Sequence, residues 1–198
     1  MNLERRLLAK AMDYVTYRKL LDRLLLDGKT TGPDQSASFT EHARLNVVRM
    51  KRVDKTVQIL PELQKVIEAI DHAQTWVVIT EGWCGDAAQS VPVFYALSNL
   101  NAKINLQLVL RDETLELMDK YLTNGTPSIP KLIVTKTETL EEIFNWGPRP
   151  KVLQEMFYEM RSNNIPYIER SERVHAWYAK DKTITTQQEL LQLFTNNA

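Results

Sequence analysis

The stretch that decides the fold is residues 75–89, TWVVITEGWCGDAAQ. Its first six residues are β-branched or apolar. This run is too short for a typical helix and predicts a strand that is buried on both faces. Glu81 and Gly82 interrupt it, and the composition from Trp83 onward favours a helix. The sequence therefore places Cys84, the single cysteine of the chain, where a buried strand ends and a helix begins.

This position has consequences for the thiol. The first amide groups of a helix lack intrahelical acceptors, and the helix dipole is positive at that end. A thiol there is expected to shift toward the thiolate, which is the reactive form. Lone cysteines are more often small buried apolar residues. The location and the preceding Trp83 nevertheless favour a redox or nucleophilic role for Cys84.

Two motifs resemble those of the thioredoxin-like superfamily. Trp83-Cys84-Gly85 ahead of a helix resembles the thioredoxin active site, whose usual motif is Trp-Cys-Gly-Pro-Cys. Residues 128–134, SIPKLIV, resemble the family's cis-proline loop and the strand after it. The resemblance covers residues 74–163 and implies an α/β fold with a thioredoxin-like core.

The resemblance also implies a substrate site. In the family the proline, here Pro130, follows a cis peptide bond, and the backbone of the residue before it, here Ile129, pairs with a bound peptide or thiol substrate. This would place Ile129 against Cys84. The alternative is an ordinary trans proline at the start of an edge strand.

The departures from the family motif bear on the chemistry. Asp86 replaces the motif proline, and Ala87 stands where the second, resolving cysteine would be. Val78 occupies the strand position where many thioredoxins bury an aspartate. With one cysteine no intramolecular disulfide can form, so an ordinary dithiol reductase cycle is excluded.

The function implied is a monothiol thiol-disulfide oxidoreductase. Cys84 would form mixed disulfides with oxidised protein or small thiol substrates, and an external thiol such as glutathione or bacillithiol would release them. Gly85 and the amide groups after it would stabilise the thiolate, while Trp83 would shield the site. The alternative is a non-catalytic thioredoxin-fold scaffold that binds a peptide or protein in the Ile129-Pro130 groove.

Asp86 and Arg111 each allow two interpretations. Asp86 in the first helical turn favours the helix but opposes ionisation of a nearby thiol. It is either a proton donor to a leaving thiolate or a solvated residue at the helix start. Arg111 closes the second strand at the edge where ligands of α/β sheets collect. It either lowers the pKa of the thiol or binds a substrate carboxylate, or it pairs with Asp112 or Glu113.

Composition excludes several other classes of function. The formal net charge is zero, so neither nucleic acid nor an anionic membrane is favoured as a partner. No signal segment or run of transmembrane length is recognisable, and one cysteine suits a reducing cytoplasm. The histidines are scattered, so we expect no metal site, and no resident cofactor is expected beyond the external thiol.

Helical periodicity predicts extensions on both sides of the core. A first helix is expected from Leu3 to Asp27, and a second with Ser38 as N-cap and Glu41 completing a capping box. A third helix starts at Pro61. We therefore divide the chain into an N-terminal helical extension (1–72), a core (73–163) and a C-terminal helical extension (164–198).

The core is predicted to follow the order β-α-β-α-β-β-α, with a four-stranded mixed sheet. The second helix of this core is expected over residues 113–122, and a hairpin over residues 131–145. The tail is expected to hold two more helices, with Thr185 capping the last. The extensions are expected to pack either on each other or across a homodimer.

Overall fold

The computed structural model describes residues 3–197. They form one four-stranded mixed sheet, and helices come before, between and after its strands along the chain. The strand order is β2-β1-β3-β4. Strand β1 pairs parallel with β2 and antiparallel with β3, and β3 pairs antiparallel with β4. The predicted α/β thioredoxin-like fold is confirmed. The strands are β1 (Gln74–Thr80), β2 (Ile104–Leu110), β3 (Lys131–Lys136) and β4 (Glu142–Trp146).

Eight α-helices lie within the described residues, together with two short 3₁₀ turns. Helix α4 connects β1 to β2, and α5 lies between β2 and β3. The helices are α1 (Tyr14–Leu26), α2 (Ala37–Thr56), α3 (Pro61–Glu68), α4 (Ala87–Ser98), α5 (Leu115–Asp119), α6 (Lys151–Ser162), α7 (Tyr167–Asp181) and α8 (Ile184–Asn196).

The first predicted helix is broken into two pieces, which corrects the expectation of one helix from Leu3. A 3₁₀ turn covers Arg5–Leu8, and Met12 then pairs its backbone with Leu108 of β2. The carboxylate of Asp13 accepts a hydrogen bond from the Thr16 amide at 2.6 Å and starts α1. The chain leaves the helical path because the outer edge of β2 offers its own hydrogen-bonding groups.

Three other local predictions were wrong. Ser36, not Ser38, caps α2, since its hydroxyl accepts from the Phe39 amide at 3.4 Å. Helix α5 has five residues because the residues after β2 form a 3₁₀ turn first. Thr185 lies inside α8, where its amide donates to the carboxylate of Asp181.

The main hydrophobic core joins the N-terminal helices, the sheet and α8. All seven residues of β1 are buried, as its apolar run predicts. Tyr17 of α1, Val77 of β1 and Phe194 of α8 belong to one cluster of buried side chains. The division into three parts therefore stays a prediction. A second, smaller cluster joins α6 to α7, and it contains Leu153, Met160, Val174 and Tyr178.

Candidate active site around Cys84

The turn after β1 is held in place by the loop that precedes α2 and by the middle of α2. The amide of Gly82 donates to the Thr31 hydroxyl at 2.8 Å, and the side-chain amide of Asn46 donates to the Gly82 carbonyl at 3.0 Å. The Cys84 amide donates to the Glu81 carbonyl at 3.2 Å. These bonds fix the turn from which the thiol emerges, so the N-terminal helices help to position the motif.

The Cys84 thiol lies between the start of α4 and the loop before β3. Its Sγ donates to the Ile129 carbonyl oxygen at 3.3 Å, and the Ala87 amide donates to Sγ at 3.4 Å. The Ile129–Pro130 bond is cis. Cys84, Ile129 and Pro130 are thus brought together.

Burial controls the acidity of this thiol. Cys84 is 7% exposed. Desolvation and the nearby charge of Asp86 raise the pKa of the Cys84 thiol to about 12, while the Ala87 amide and Arg149 oppose the rise. The expected shift toward the thiolate is therefore wrong for this conformation, because loss of water outweighs the helix start.

Asp86 is also buried, at 8% exposure, which corrects the interpretation of a solvated helix-start residue. Its Oδ2 lies 2.7 Å from Nη2 of Arg149, and its Oδ1 accepts a hydrogen bond from the Tyr178 hydroxyl at 2.9 Å. Burial raises the pKa of Asp86, and the contacts with Arg149 and Tyr178 oppose that rise. The carboxyl group is therefore enclosed by its partners rather than hydrated.

The chain after β4 brings Arg149 to this carboxylate. Gly147 has φ +119°, and a Cβ built on it would lie 2.2 Å from the Pro130 carbonyl oxygen. Only glycine tolerates both the backbone conformation and this close approach. The Arg149 guanidinium carbon lies 4.1 Å from the centre of the Phe157 ring on α6. The loop is thus held between the cis-proline segment and α6.

Helix α7 covers the middle of the motif. A Cβ built on Gly85 would lie 2.6 Å from Cε1 and 2.8 Å from Nε2 of His175, and 3.8 Å from Nη1 of Arg49. The imidazole therefore sits directly on Gly85. Burial and the neighbouring cations lower the pKa of His175 to about 4, so the ring is neutral at pH 7.

Trp83 and Arg111 lie together at the edge of the site. The Arg111 guanidinium carbon is 4.7 Å from the centre of the Trp83 ring, and the Phe39 ring centre is 5.3 Å from it. Arg111 also pairs with Asp112, at 2.8 Å. The alternative in which Arg111 pairs with its neighbour is the one present here.

Sequence reasoning missed four residues around the thiol. It gave neither Tyr178 nor Arg149 a functional role, counted His175 only among the scattered histidines, and assigned Glu81 only to the interruption of the strand. Glu81 is 1% exposed, accepts from the Asp112 amide at 3.0 Å, and has a pKa raised by burial. No local pattern marks Arg149, His175 or Tyr178, because each reaches the motif through long-range packing. Glu81 lies in the motif stretch itself, and its carboxylate contacts the chain after β2.

Within residues 3–197, no group of three or more histidine, cysteine or acidic side chains is arranged to hold a metal ion. None of the helices in that range combines the length and the apolar character needed to cross a membrane.

The comparisons with known proteins agree with this fold. A family model described as Thioredoxin matches residues 32–182, so the chain belongs to the thioredoxin family. None of the curated proteins matches the chain.

Two solved structures share the fold at low identity. A protein of unknown function from Pseudomonas aeruginosa has 14% identity and a TM-score of 0.64 over 100% of both chains. An HIV epitope scaffold has 15% identity and a TM-score of 0.56 over 89% of this chain and 98% of the other.

Proposed function

We propose that the protein is a thiol-disulfide oxidoreductase that uses Cys84 as its single redox-active cysteine. The observation that carries this proposal is the contact of 3.3 Å between the Cys84 thiol and the Ile129 carbonyl, beside the cis bond to Pro130. The thiol thus lies against the backbone that would pair with a substrate. The amide of Ala87 is ready to stabilise negative charge on the sulfur.

The reaction begins with ionisation of Cys84. The thiol proton, which is donated to the Ile129 carbonyl, leaves to solvent when water and substrate enter. The thiolate attacks one sulfur of a substrate disulfide, the substrate S–S bond breaks, and the other sulfur leaves as a thiolate that takes up a proton. The thiolate of an external thiol such as glutathione or bacillithiol then attacks the substrate sulfur of the mixed disulfide. A new disulfide joins these two sulfurs, and Cys84 leaves as a thiolate that takes up a proton.

The charged neighbours of Cys84 affect how readily its thiol ionises. The Arg149 charge lowers the pKa of the thiol, whereas Asp86 raises it. A proton on Asp86, or its pairing with Arg149, removes the repulsion that a thiolate would meet. Entry of substrate requires displacement of at least part of the packing that leaves Cys84 7% exposed.

Trapping tests the proposal. The folded protein is incubated with oxidised glutathione, and the mass of the product is measured alongside that of Cys84→Ser. A glutathione adduct on the wild-type chain that reducing thiol removes is the expected result, and Cys84→Ser should form none. The proposal fails if the folded protein forms no adduct while the same chain in urea does.

A second candidate function is a thioredoxin-fold binding scaffold without thiol chemistry. The observation that favours it is the near-complete burial of Cys84, whose thiol is protonated at neutral pH with a pKa of about 12. Under this alternative, Cys84→Ser keeps full cellular function, since serine retains a donor to the Ile129 carbonyl. Under the redox proposal, the same variant loses function.

A further inference from the structure

Besides Arg111, three guanidinium groups lie near the motif, and only one of these three is paired with a carboxylate. Arg149 pairs with Asp86. Arg49 and Arg52 lie one turn apart on α2. Arg49 donates to Oδ1 of Asn46 at 2.8 Å, and Arg52 donates to Oε1 of Gln89 at 3.1 Å. Both acceptors are neutral, so the positive charge of these two arginines is not balanced by an ion pair within residues 3–197.

The surroundings of Arg49 disfavour its positive charge. Arg49 is half-buried, and its pKa is lowered first by burial and then by the charge of Arg52. Asp86 contributes one negative charge, and its oxygens already contact Arg149 and Tyr178. The neutral His175 ring adds a buried Nδ1 that has no hydrogen-bond partner in the described structure. A half-buried guanidinium without an ion pair, near a buried ring nitrogen that can donate in one tautomer, suits an anion supplied from outside.

The unbalanced charge lies close to the residue that follows Cys84 on one side and beside open space on the other. Nη1 of Arg49 is 3.8 Å from the Cβ position of Gly85, the residue after Cys84. Arg52, Gln89 and Tyr178 line a cavity of about 560 Å³, which is the size of a small-molecule site.

The remaining charges of the cavity wall have the same sign. Lys180 and Lys182 line it, and the one acidic side chain there, Asp181, accepts hydrogen bonds from Thr185. The cavity wall thus carries excess positive charge.

We propose that the cleft between α2 and α7, lined by Arg52 with Arg49 one turn before it on α2, binds the anionic group of a low-molecular-weight disulfide or thiol that reacts with Cys84. This inference rests on the proposed function, because it names the class of substrate for the same thiol. It assigns to α2 the role of binding the substrate anion that the sequence suggested for Arg111, whose charge Asp112 balances.

The test compares three small disulfides that differ in charge: oxidised glutathione is anionic, dithiodipyridine is neutral and cystamine is cationic. The rate of mixed-disulfide formation at Cys84 is measured by mass spectrometry for the wild type and for Arg49→Gln/Arg52→Gln. The rate is expressed as a second-order rate constant. For a probe whose rate saturates with concentration, the half-saturating concentration is compared between variants instead. Each probe is compared only with itself across variants, which removes the different intrinsic reactivities of the probes.

Two variants serve as controls. Lys51→Gln/Lys55→Gln removes the same charge from the same helix at exposed positions. Arg49→Lys/Arg52→Lys keeps the charge. We expect the glutamine pair to slow the reaction with oxidised glutathione about tenfold or more, to leave dithiodipyridine unchanged and to leave cystamine unchanged or faster. The lysine pair should recover much of the loss, and the Lys51/Lys55 control should show none.

The outcomes separate this inference from the proposed function. If all three probes react with the wild type and lose rate equally in the glutamine pair, the anion site is refuted while the thiol chemistry stands. An equal loss in the Lys51/Lys55 control also refutes it, since net charge alone would then explain the effect. If no probe reacts with the folded protein, the oxidoreductase proposal itself fails.

Discussion

Replacing Tyr178 by phenylalanine tests whether α7 controls access to Cys84. Tyr178 is 4% exposed, and its hydroxyl donates to the buried carboxylate of Asp86 at 2.9 Å. A hydrogen bond to a charged group contributes about 1.5–3 kcal/mol. If the open state lacks this bond, Tyr178→Phe raises the population of that state by about 10- to 100-fold, since 1.4 kcal/mol corresponds to about a factor of ten.

The assay is the rate at which iodoacetamide modifies Cys84 in the folded protein, followed by mass spectrometry. When closing is faster than modification, the rate follows the open population, so it should rise by the same factor. Tyr167→Phe is the matched control, because it removes the same hydroxyl from the same helix at a residue that is 60% exposed. Unfolding in urea, measured in parallel, separates local opening from global loss of stability. A labelling rate that is unchanged, or that rises equally in the control, would refute the reasoning.

Two further predictions concern Gly85 and His175. Gly85→Ala places a methyl group 2.6 Å from the His175 ring and should lower the free energy of unfolding by about 1–3 kcal/mol in urea titrations; adding His175→Ala should recover part of the loss, and no recovery would contradict the contact. His175 has a pKa of about 4 in the folded chain against 6.5 when unperturbed, so the unfolded chain binds more protons between these values and stability falls as the pH drops from about 6.5 to about 4. His175→Gln should reduce this fall, measured as the difference in urea stability between about pH 7 and about pH 4; an identical fall in the variant would show that other groups cause it.

The parts of the fold that depend on local pattern were predictable. The apolar run ending at Thr80 produced a fully buried strand, and Pro61 began a helix where its missing amide does no harm. The break between Leu8 and Tyr14 was not predictable from the leucine spacing, because the competing partner is Leu108 on a strand almost a hundred residues away. Periodicity shows which face of a helix is apolar, but it does not show which backbone groups will form hydrogen bonds with a distant strand.

The same distinction applies to the site. The approach of Cys84 to Ile129 follows from two motifs whose spacing is visible in the chain. The partners of Asp86 come from a loop after β4 and from α7, and neither carries a pattern that points to the motif. The sequence allowed Asp86 to be either solvated or a proton donor, and only the packing of Tyr178 and Arg149 decided that it is buried.

The buried Asp86 explains how one thiol can be both well placed and unreactive in this conformation. The residue that replaces the motif proline brings a negative charge beside the sulfur, and that charge adds to the rise in the thiol pKa. The same carboxylate connects α4 to Arg149 and Tyr178, the residues that help to close the site. A displacement of α7 that leaves Arg149 beside Asp86 therefore hydrates the thiol and the carboxylate together. Desolvation, the largest contribution to the raised pKa of Cys84, is then lost, so access and activation arise from the same movement.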